Sequence, residues 1–460
     1  MKKNTVKRRN FIKTTATGTL GYMLLSGCQS VAKKVDANSK LNVAYIGIGG
    51  RGHFLAKDLF NYEKVNSVAL CDVDDQYASR TYRLAPKLPK FADYRVMLDK
   101  MGKDIDAVVI ATPDHAHYPI ATWAMSMGKH IYLEKPMTRT VWESRKLRDL
   151  AEKTGLTTQL GNQGHGASWW KDASEWYKSG LIGEVVEMYN WTDRPVWNQG
   201  PYQVPDGKEK VPITLDYDLW LNVAPYTPYS SKIVPFHWRG FRNYGTGAMG
   251  DHACHSLDWF YSALDLGMPT KVKTIASQYT EFGWPKHTTT EFEFAPKGNR
   301  PAIKLYWSDA SVKPKEVKRL APDELAKMAN GGAIVGTKET IVCYDQFGNR
   351  TMITPRERMI ELKKANALPP KTLPRTKESH TRNWVNACLS GKKADSDIAT
   401  YASKINEFVL LGALSTFFSG QELHYDDKLG KFTNCDQAND MFFSRYKYRK
   451  EFLISQKFDM

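Results

Sequence analysis

The chain changes its hydrophobic rhythm about one third of the way along. Residues 41–46 form a short, nearly continuous apolar run, the signature of a strand buried on both faces. Residues 53–60 then place Leu55, Ala56, Leu59 and Phe60 at helical spacing. Further apolar runs at 66–71, 107–111, 130–133 and 157–160 predict four more strands, and strands alternating with helices predict a parallel sheet. Beyond residue 160 the pattern shifts. Residues 274–294 and 302–307 alternate polar and apolar positions, predicting half-buried strands, and 331–343 predicts a strand pair. Helical periodicity recurs at 251–264, 381–389 and 398–418, and the last of these is expected to return onto the first domain. Residues 201–231, rich in Pro, Tyr and Asp, predict a long loop or lid.

The N-terminus follows a different logic. Lys7-Arg8-Arg9-Asn10-Phe11-Ile12-Lys13 is a twin-arginine pattern, followed by a weakly apolar stretch that ends Leu25-Ser26-Gly27-Cys28. That stretch is too short and too rich in Thr and Gly for a spanning helix, and its end resembles a bacterial lipobox. Residues 1–27 are expected to be a signal for export of folded proteins, Cys28 to be lipidated, and 28–40 to be a tether. The expected location is the periplasmic or cell-envelope side of a bacterial membrane, with Cys28 as the only membrane attachment. The net charge of +16 includes six charges from the signal, leaving +10 for the rest. No dense basic block with interleaved aromatics occurs, which argues against nucleic acid as a partner. Besides Cys28, five scattered cysteines show no metal-ligand spacing, so a metal is not expected.

The first strand feeds directly into Gly47-Ile48-Gly49-Gly50-Arg51-Gly52 and a helix. Such glycines permit a tight turn and close backbone approach, while the helix N-terminus accepts a pyrophosphate. The second strand ends at Asp72, 20 positions beyond Gly52, where a ribose-binding acid belongs. A carboxylate there accepts hydrogen bonds from a 2′-hydroxyl and repels a 2′-phosphate, which favours NAD over NADP. The next strand ends in Thr112-Pro113-Asp114-His115-Ala116-His117, and the one after in Glu134-Lys135-Pro136. Ligands of open parallel sheets bind beyond the carboxyl ends of the strands, so both segments belong beside the cofactor. His115 and His117 read equally well as a capped turn.

These motifs, together with Gly245-Thr246-Gly247-Ala248-Met249-Gly250-Asp251-His252-Ala253-Cys254-His255, resemble the Gfo/Idh/MocA oxidoreductase family over roughly residues 40–430. The resemblance implies an α/β protein: an N-terminal Rossmann domain (41–160), then a C-terminal α/β domain (161–430) with a large, mostly antiparallel open sheet, followed by a tail (431–460). It also implies sugars, glycosides or cyclic polyols as substrates and a sheet face used for oligomer contacts, hence a homo-oligomer. Cofactor contacts are expected from Gly47, Ile48, Gly49, Arg51, Gly52, Asp72, Thr112, Pro113, His115, His117, Glu134 and Lys135.

Oxidising a secondary alcohol requires a hydride acceptor, a group that takes the hydroxyl proton and a group that stabilises the alkoxide. Asp251 and His255 share one helix face at i, i+4 spacing. His255 is assigned as general base, Lys135 as alkoxide stabiliser, and Asp251 as the group orienting substrate or His255. A simple helix-capping pair is the bland alternative. Asn162, His165, Trp238 and Arg239 are candidate substrate contacts, with Trp169, Trp170, Trp191 and Trp197 as further aromatic candidates.

Three functions follow. The first is NAD-dependent oxidation of a sugar or glycoside secondary hydroxyl by an exported enzyme that keeps and recycles its cofactor. The second is redox-neutral glycoside cleavage through transient C3 oxidation and elimination. The third is a sugar-binding protein without turnover. NAD-dependent glycosidases resemble Val-Glu-Val-Pro where this chain has Leu133-Glu134-Lys135-Pro136, and they lack Asp251-x-x-x-His255, which tips the sequence toward oxidation.

Overall fold

A computed structural model describes residues 40–345, 350–442 and 448–453. The signal, the tether and Cys28 lie outside the described residues.

The first sheet has six parallel strands in the order β3-β2-β1-β4-β5-β6. These are β1 (Leu41–Ile46), β2 (Val65–Cys71), β3 (Lys90–Phe91), β4 (Ala107–Ile110), β5 (His130–Leu133) and β6 (Thr158–Leu160). The two-residue edge strand β3 is too short to leave a periodic signal, so the sequence predicts five strands where six exist. Helices α1 (Arg51–Phe60), α2 (Asp75–Leu84), α3 (Tyr94–Met101), α4 (Asp114–Ser126) and α5 (Val141–Thr154) connect them. The start of α5 is set by a reciprocal capping box between Thr140 and Glu143, worth about 1 kcal/mol. Strand order reverses between β2-β1 and β4, and the opening above that point is where ligands of such sheets bind.

After α6 (Trp169–Lys178), a second, nine-stranded sheet begins with β7 (Val185–Trp191). It continues through β8 (Lys271–Ala276), β9 (Thr288–Phe294), β10 (Ile303–Ser308), β11 (Gly331–Gly336), β12 (Thr340–Cys343), β13 (Thr351–Thr354), β14 (Glu422–Asp426) and β15 (Lys431–Phe432). The strand order is β13-β12-β11-β7-β10-β9-β8-β14-β15, antiparallel except where β10 runs parallel to β7. Strand β9 alternates buried and half-buried positions along its length, as the sequence predicts. The inner face packs on α13 (Ser403–Ser415, numbered after α7 to α12 below), with Phe292 edge-on to Phe408 at 4.8 Å. On the outer face Val317, Leu320, Leu325 and Met328 pack over Trp191, Ala333, Val335 and Val342. Elsewhere that face carries charge pairs such as Lys304–Glu291 and Lys271–Glu293.

Between β7 and β8 lie the lid, with its short helix α7 (Tyr217–Leu221), and the paired helices α8 (Gly247–Ser256) and α9 (Asp258–Leu264). The single helix expected at 251–264 thus starts four residues earlier and breaks at Leu257. Its N-terminal extension is glycine-rich, which hides the helical pattern. Two short helices follow, α10 (Pro322–Lys327) and α11 (Arg356–Lys364), then α12 (His380–Ser390). Residues 398–418 return to the first domain as expected, with Glu407 paired to Arg145 of α5, and α12 does so as well: Trp384, Val385, Ala387 and Cys388 join the apolar cluster of Leu41, Val43, Tyr45 and Tyr132. The described residues of the C-terminal segment pack against both domains. Lys431–Phe432 extends the second sheet, Phe452 is buried under the Arg95 guanidinium, and Arg449 pairs with Asp218 of the lid.

Trp384 is fully buried where the C-terminal half of the chain meets the first sheet. Trp384→Ala is expected to destabilise the protein by about 3–5 kcal/mol, read as a shift in the urea unfolding midpoint.

Candidate active site

A cleft of about 520 Å³ opens over the strand reversal. Its walls include Gly47, Gly49 and Arg51 on the glycine loop, Asp72 after β2, Thr112 and Pro113 after β4, and Glu134 and Lys135 after β5. The opposite wall comes from the second domain and lid, through Trp220, Phe236, Trp238, Arg239 and His255. The two domains therefore face each other across one opening.

The glycine loop has the geometry of a dinucleotide cradle. Gly47 has φ of 78°, and a Cβ there would meet the Ala111 carbonyl at 2.7 Å. A Cβ on Gly52 would lie 1.9 Å from the Gly47 oxygen. Helix α1 then begins with no side-chain cap, so its first N–H groups are open to an anion. Thr112 Oγ1 is buried beside the cleft with no hydrogen-bond partner. Asp72 Oδ2 accepts from the Ile48 and Gly49 N–H groups at 2.7 and 3.1 Å, and Oδ1 from Asp74 N–H at 3.0 Å. Burial pushes its carboxyl up to about 6, against the pull of those N–H donors. Ile48 itself is buried and contributes its backbone to Asp72 rather than its side chain to the cleft. Arg51 Nε pairs with Glu134 Oε1 at 3.1 Å. These features fit NAD.

The chemical end of the cleft is an ion cluster. Lys135 Nζ donates to Asp251 Oδ1 at 2.8 Å and to the Asp251 carbonyl at 2.9 Å. Arg239 Nε donates to the same Oδ1 at 2.9 Å, with its guanidinium 4.2 Å from the Trp238 ring centroid. Burial opposes the charge on Asp251, but Lys135 and Arg239 outweigh it and hold the carboxyl well below the usual range. One helical turn on, His255 lines the cleft. Burial first, then Lys135 and His252, hold its imidazole well below its ordinary value and hence neutral. Asp251 carries two cations and so positions Lys135, a partnership that the i, i+4 spacing with His255 does not reveal.

Four expected contacts are corrected. His115 and His117 are buried and do not line this cleft. His115 is held by the Trp220 carbonyl at 2.8 Å, and His117 lies between the Pro136 and Thr112 carbonyls at 2.8 Å each. They brace the strand-end loops. Asn162 and His165 instead meet Asp258 of α9, at 3.0 and 3.1 Å, and Trp170 stacks on His165. Trp238 and Arg239 do line the cleft. Of the other tryptophans, Trp191 is core, Trp197 flanks Arg239, and Trp169 is exposed.

Sequence reasoning missed Tyr77, Trp220, Gln163 and Asp114. Tyr77 lies against the glycine loop and Trp220 comes from the lid, positions without a local motif. Gln163 donates to Glu134 Oε1 at 2.8 Å and to the Tyr132 hydroxyl. Asp114 reads as an ordinary first residue of a helix, yet it is buried, accepts from Thr246 Oγ1 at 2.9 Å and leaves Oδ1 without a partner. Burial, then repulsion from Asp251, pushes it up to about 7, against Lys135 and Arg239.

Residues 41–162 match a family model described as "Oxidoreductase family, NAD-binding Rossmann fold". Residues 182–291 match its companion, "Oxidoreductase family, C-terminal alpha/beta domain". The chain is 32% identical over 171 residues to a glycosyl hydrolase family 109 protein of Shewanella pealeana, covering 32% of this chain and 38% of that protein. It is 30% identical over 174 residues to an alpha-N-acetylgalactosaminidase of Shewanella oneidensis, with the same shares. The match thus spans well under half the length of these curated relatives. In three dimensions the chain resembles the WlbA dehydrogenase from Bordetella pertussis, solved with NADH and UDP-GlcNAcA. The TM-score is 0.59 at 14% identity, over 85% of this chain and 98% of that one, a likeness of fold.

Gly52→Ala is expected to weaken NAD binding at least about tenfold in a calorimetric titration, because the new methyl group displaces the loop. Asp114→Asn tests the buried carboxyl. A folded-state pKa raised to about 7 contributes stability at acid pH that is lost as pH rises through 7. The melting temperature of the Asp114→Asn variant relative to wild type is therefore expected to rise between about pH 5 and pH 8.

Proposed function

The chain belongs to the Gfo/Idh/MocA oxidoreductase family and carries an NAD-binding Rossmann domain, and from that premise we propose that it oxidises a secondary hydroxyl of a sugar or glycoside. Lys135 is the observation that carries the proposal: its ammonium is fixed on Asp251 at 2.8 Å, in a cleft that also holds the glycine loop and a neutral His255. Bound NAD supplies the hydride acceptor. His255 takes the hydroxyl proton, since neutral imidazole is its proton-accepting form. Lys135 has three N–H donors and spends two on Asp251. The third stabilises the oxygen as it loses its proton. Asp251 and Arg239 prevent that ammonium from swinging away. The product is a keto-sugar, and turnover requires the hydride to return to a second carbonyl substrate or to the same sugar. Export and lipid attachment at Cys28 belong to this proposal and explain the value of a retained cofactor.

The names of the curated relatives favour a second function, redox-neutral glycoside cleavage. There, a ketone at C3 acidifies the C2 proton, the aglycone leaves by elimination, water adds to the double bond, and the ketone is reduced again. The same three side chains serve the first step of either route.

The two routes separate when the NAD-loaded protein is incubated with a glycoside panel in D2O and products are read by proton NMR. The proposal predicts a keto-sugar with the glycosidic bond intact, and a loss of about 10²–10⁴ in rate for His255→Asn. Free sugar deuterated at C2 establishes the cleavage route instead.

A further inference from the structure

A second cleft of about 570 Å³ adjoins the first, sharing Arg51, Phe54 and Gln163 as a common wall. It lies between α1, the turn before α6 and the start of α12. Nothing in the oxidation chemistry uses it.

Two aromatic side chains border it with much of their surface in water: Phe54 is 55% exposed and Trp169 is 40% exposed. Local structure accounts for the second. Trp170 is locked inward, stacked on His165 and donating its indole N–H to the His165 carbonyl at 2.8 Å. Adjacent helical residues point about 100° apart, so Trp169 is turned outward. The far wall is rigid, because Asp58 accepts from Ser379 at 2.7 Å, Thr381 at 2.6 Å and Arg382 at 3.0 Å. His380 closes the base. Its Nε2 donates to the Leu160 carbonyl at 2.8 Å, and burial keeps the ring neutral, down at about 4. Nδ1 is therefore a bare acceptor, buried and without a partner. Gly166 also lines the cleft, and the Cβ it lacks would come within 2.9 Å of that nitrogen.

Aromatic faces beside an unsatisfied acceptor suit a neutral polyhydroxyl ligand. The charge balance agrees. Among the described lining residues Arg51 is the one cation, already paired with Glu134, against Asp58 and Glu378.

We propose that this second cleft is a carbohydrate subsite, holding a further sugar ring of a substrate whose reacting ring lies at Lys135 and His255. The inference rests on the proposed sugar chemistry of the first cleft and extends it: the substrate is at least a disaccharide. A stacked ring on Trp169 and a hydroxyl donated to His380 Nδ1 supply the added binding.

Calorimetry on the full NAD-loaded chain tests this without requiring turnover. The probes are matched pairs: methyl β-glucoside with cellobiose, methyl α-glucoside with maltose, and methyl β-galactoside with lactose. At least one disaccharide is expected to bind about tenfold tighter than its methyl glycoside. Trp169→Ala is expected to erase that difference while leaving the methyl glycoside unchanged, with Trp169→Leu, at a side chain that borders the second cleft and not the first, acting in the same direction should the alanine variant not fold. Equal affinity within every pair, absence of binding by all probes, or variants that weaken both members alike overturns the subsite. Selective disaccharide binding without any keto product leaves the subsite standing and removes the proposed oxidation. A keto product with no selectivity does the reverse.

Discussion

One carboxylate holds the site together. Asp251, on a helix of the second domain, accepts from Lys135 at a strand end of the first domain and from Arg239 before that helix. The three side chains are mostly buried, and the two cations keep the Asp251 carboxylate ionised against its burial. Breaking a buried pair by removing one partner typically costs about 3–5 kcal/mol, because the remaining charge stays desolvated. The cluster therefore joins the domains mechanically and fixes a cation where chemistry needs one. The lysine cannot leave Asp251 without losing the partner of its own mostly buried charge, so the cleft is organised before any ligand arrives.

Burial and neighbouring charges drive the surrounding groups into different protonation states. Asp251 stays ionised because two cations outweigh its desolvation, and His255 stays neutral because the pull of Asp251 does not offset its burial. Asp114, close to the same cluster and hydrogen-bonded to Thr246, is pushed up to about 7. A carboxylate, an imidazole and a second carboxyl thus occupy three different states within one small region. Environments that push titratable groups apart in this way are a mark of acid–base sites.

The glycine loop, Asp72, Lys135 and Asp251–His255 were legible in the sequence because each is a local pattern: a spacing, a strand end or a helical turn. What escaped depends on distant chain segments meeting. His115 and His117 looked like ligands because they follow a strand, yet carbonyls from the lid and from Pro136 claim their nitrogens. Asn162 and His165 were drawn away by Asp258, far along the chain. Asp114 looked like a helix start, and only the approach of Thr246 makes it a buried acid. Apolar runs mark every strand of the parallel sheet except the two residues of β3. The return of α12 to the first sheet was invisible, since periodicity reports that a face is apolar but not what covers it.

The proposed oxidation and its cleavage alternative differ in outcome, yet as proposed both begin with transfer of a hydride to bound NAD. That shared step is the account's central claim. Rapid mixing of the NAD-loaded protein with excess glycoside, followed by nicotinamide absorbance, measures it directly. The account predicts a single-turnover rise in reduced nicotinamide for wild type, and almost none for Lys135→Met carrying a full load of NAD. An equal rise in that variant would contradict the role given to the Lys135–Asp251 cluster. No rise in wild type with any sugar would contradict the assignment as a sugar oxidoreductase.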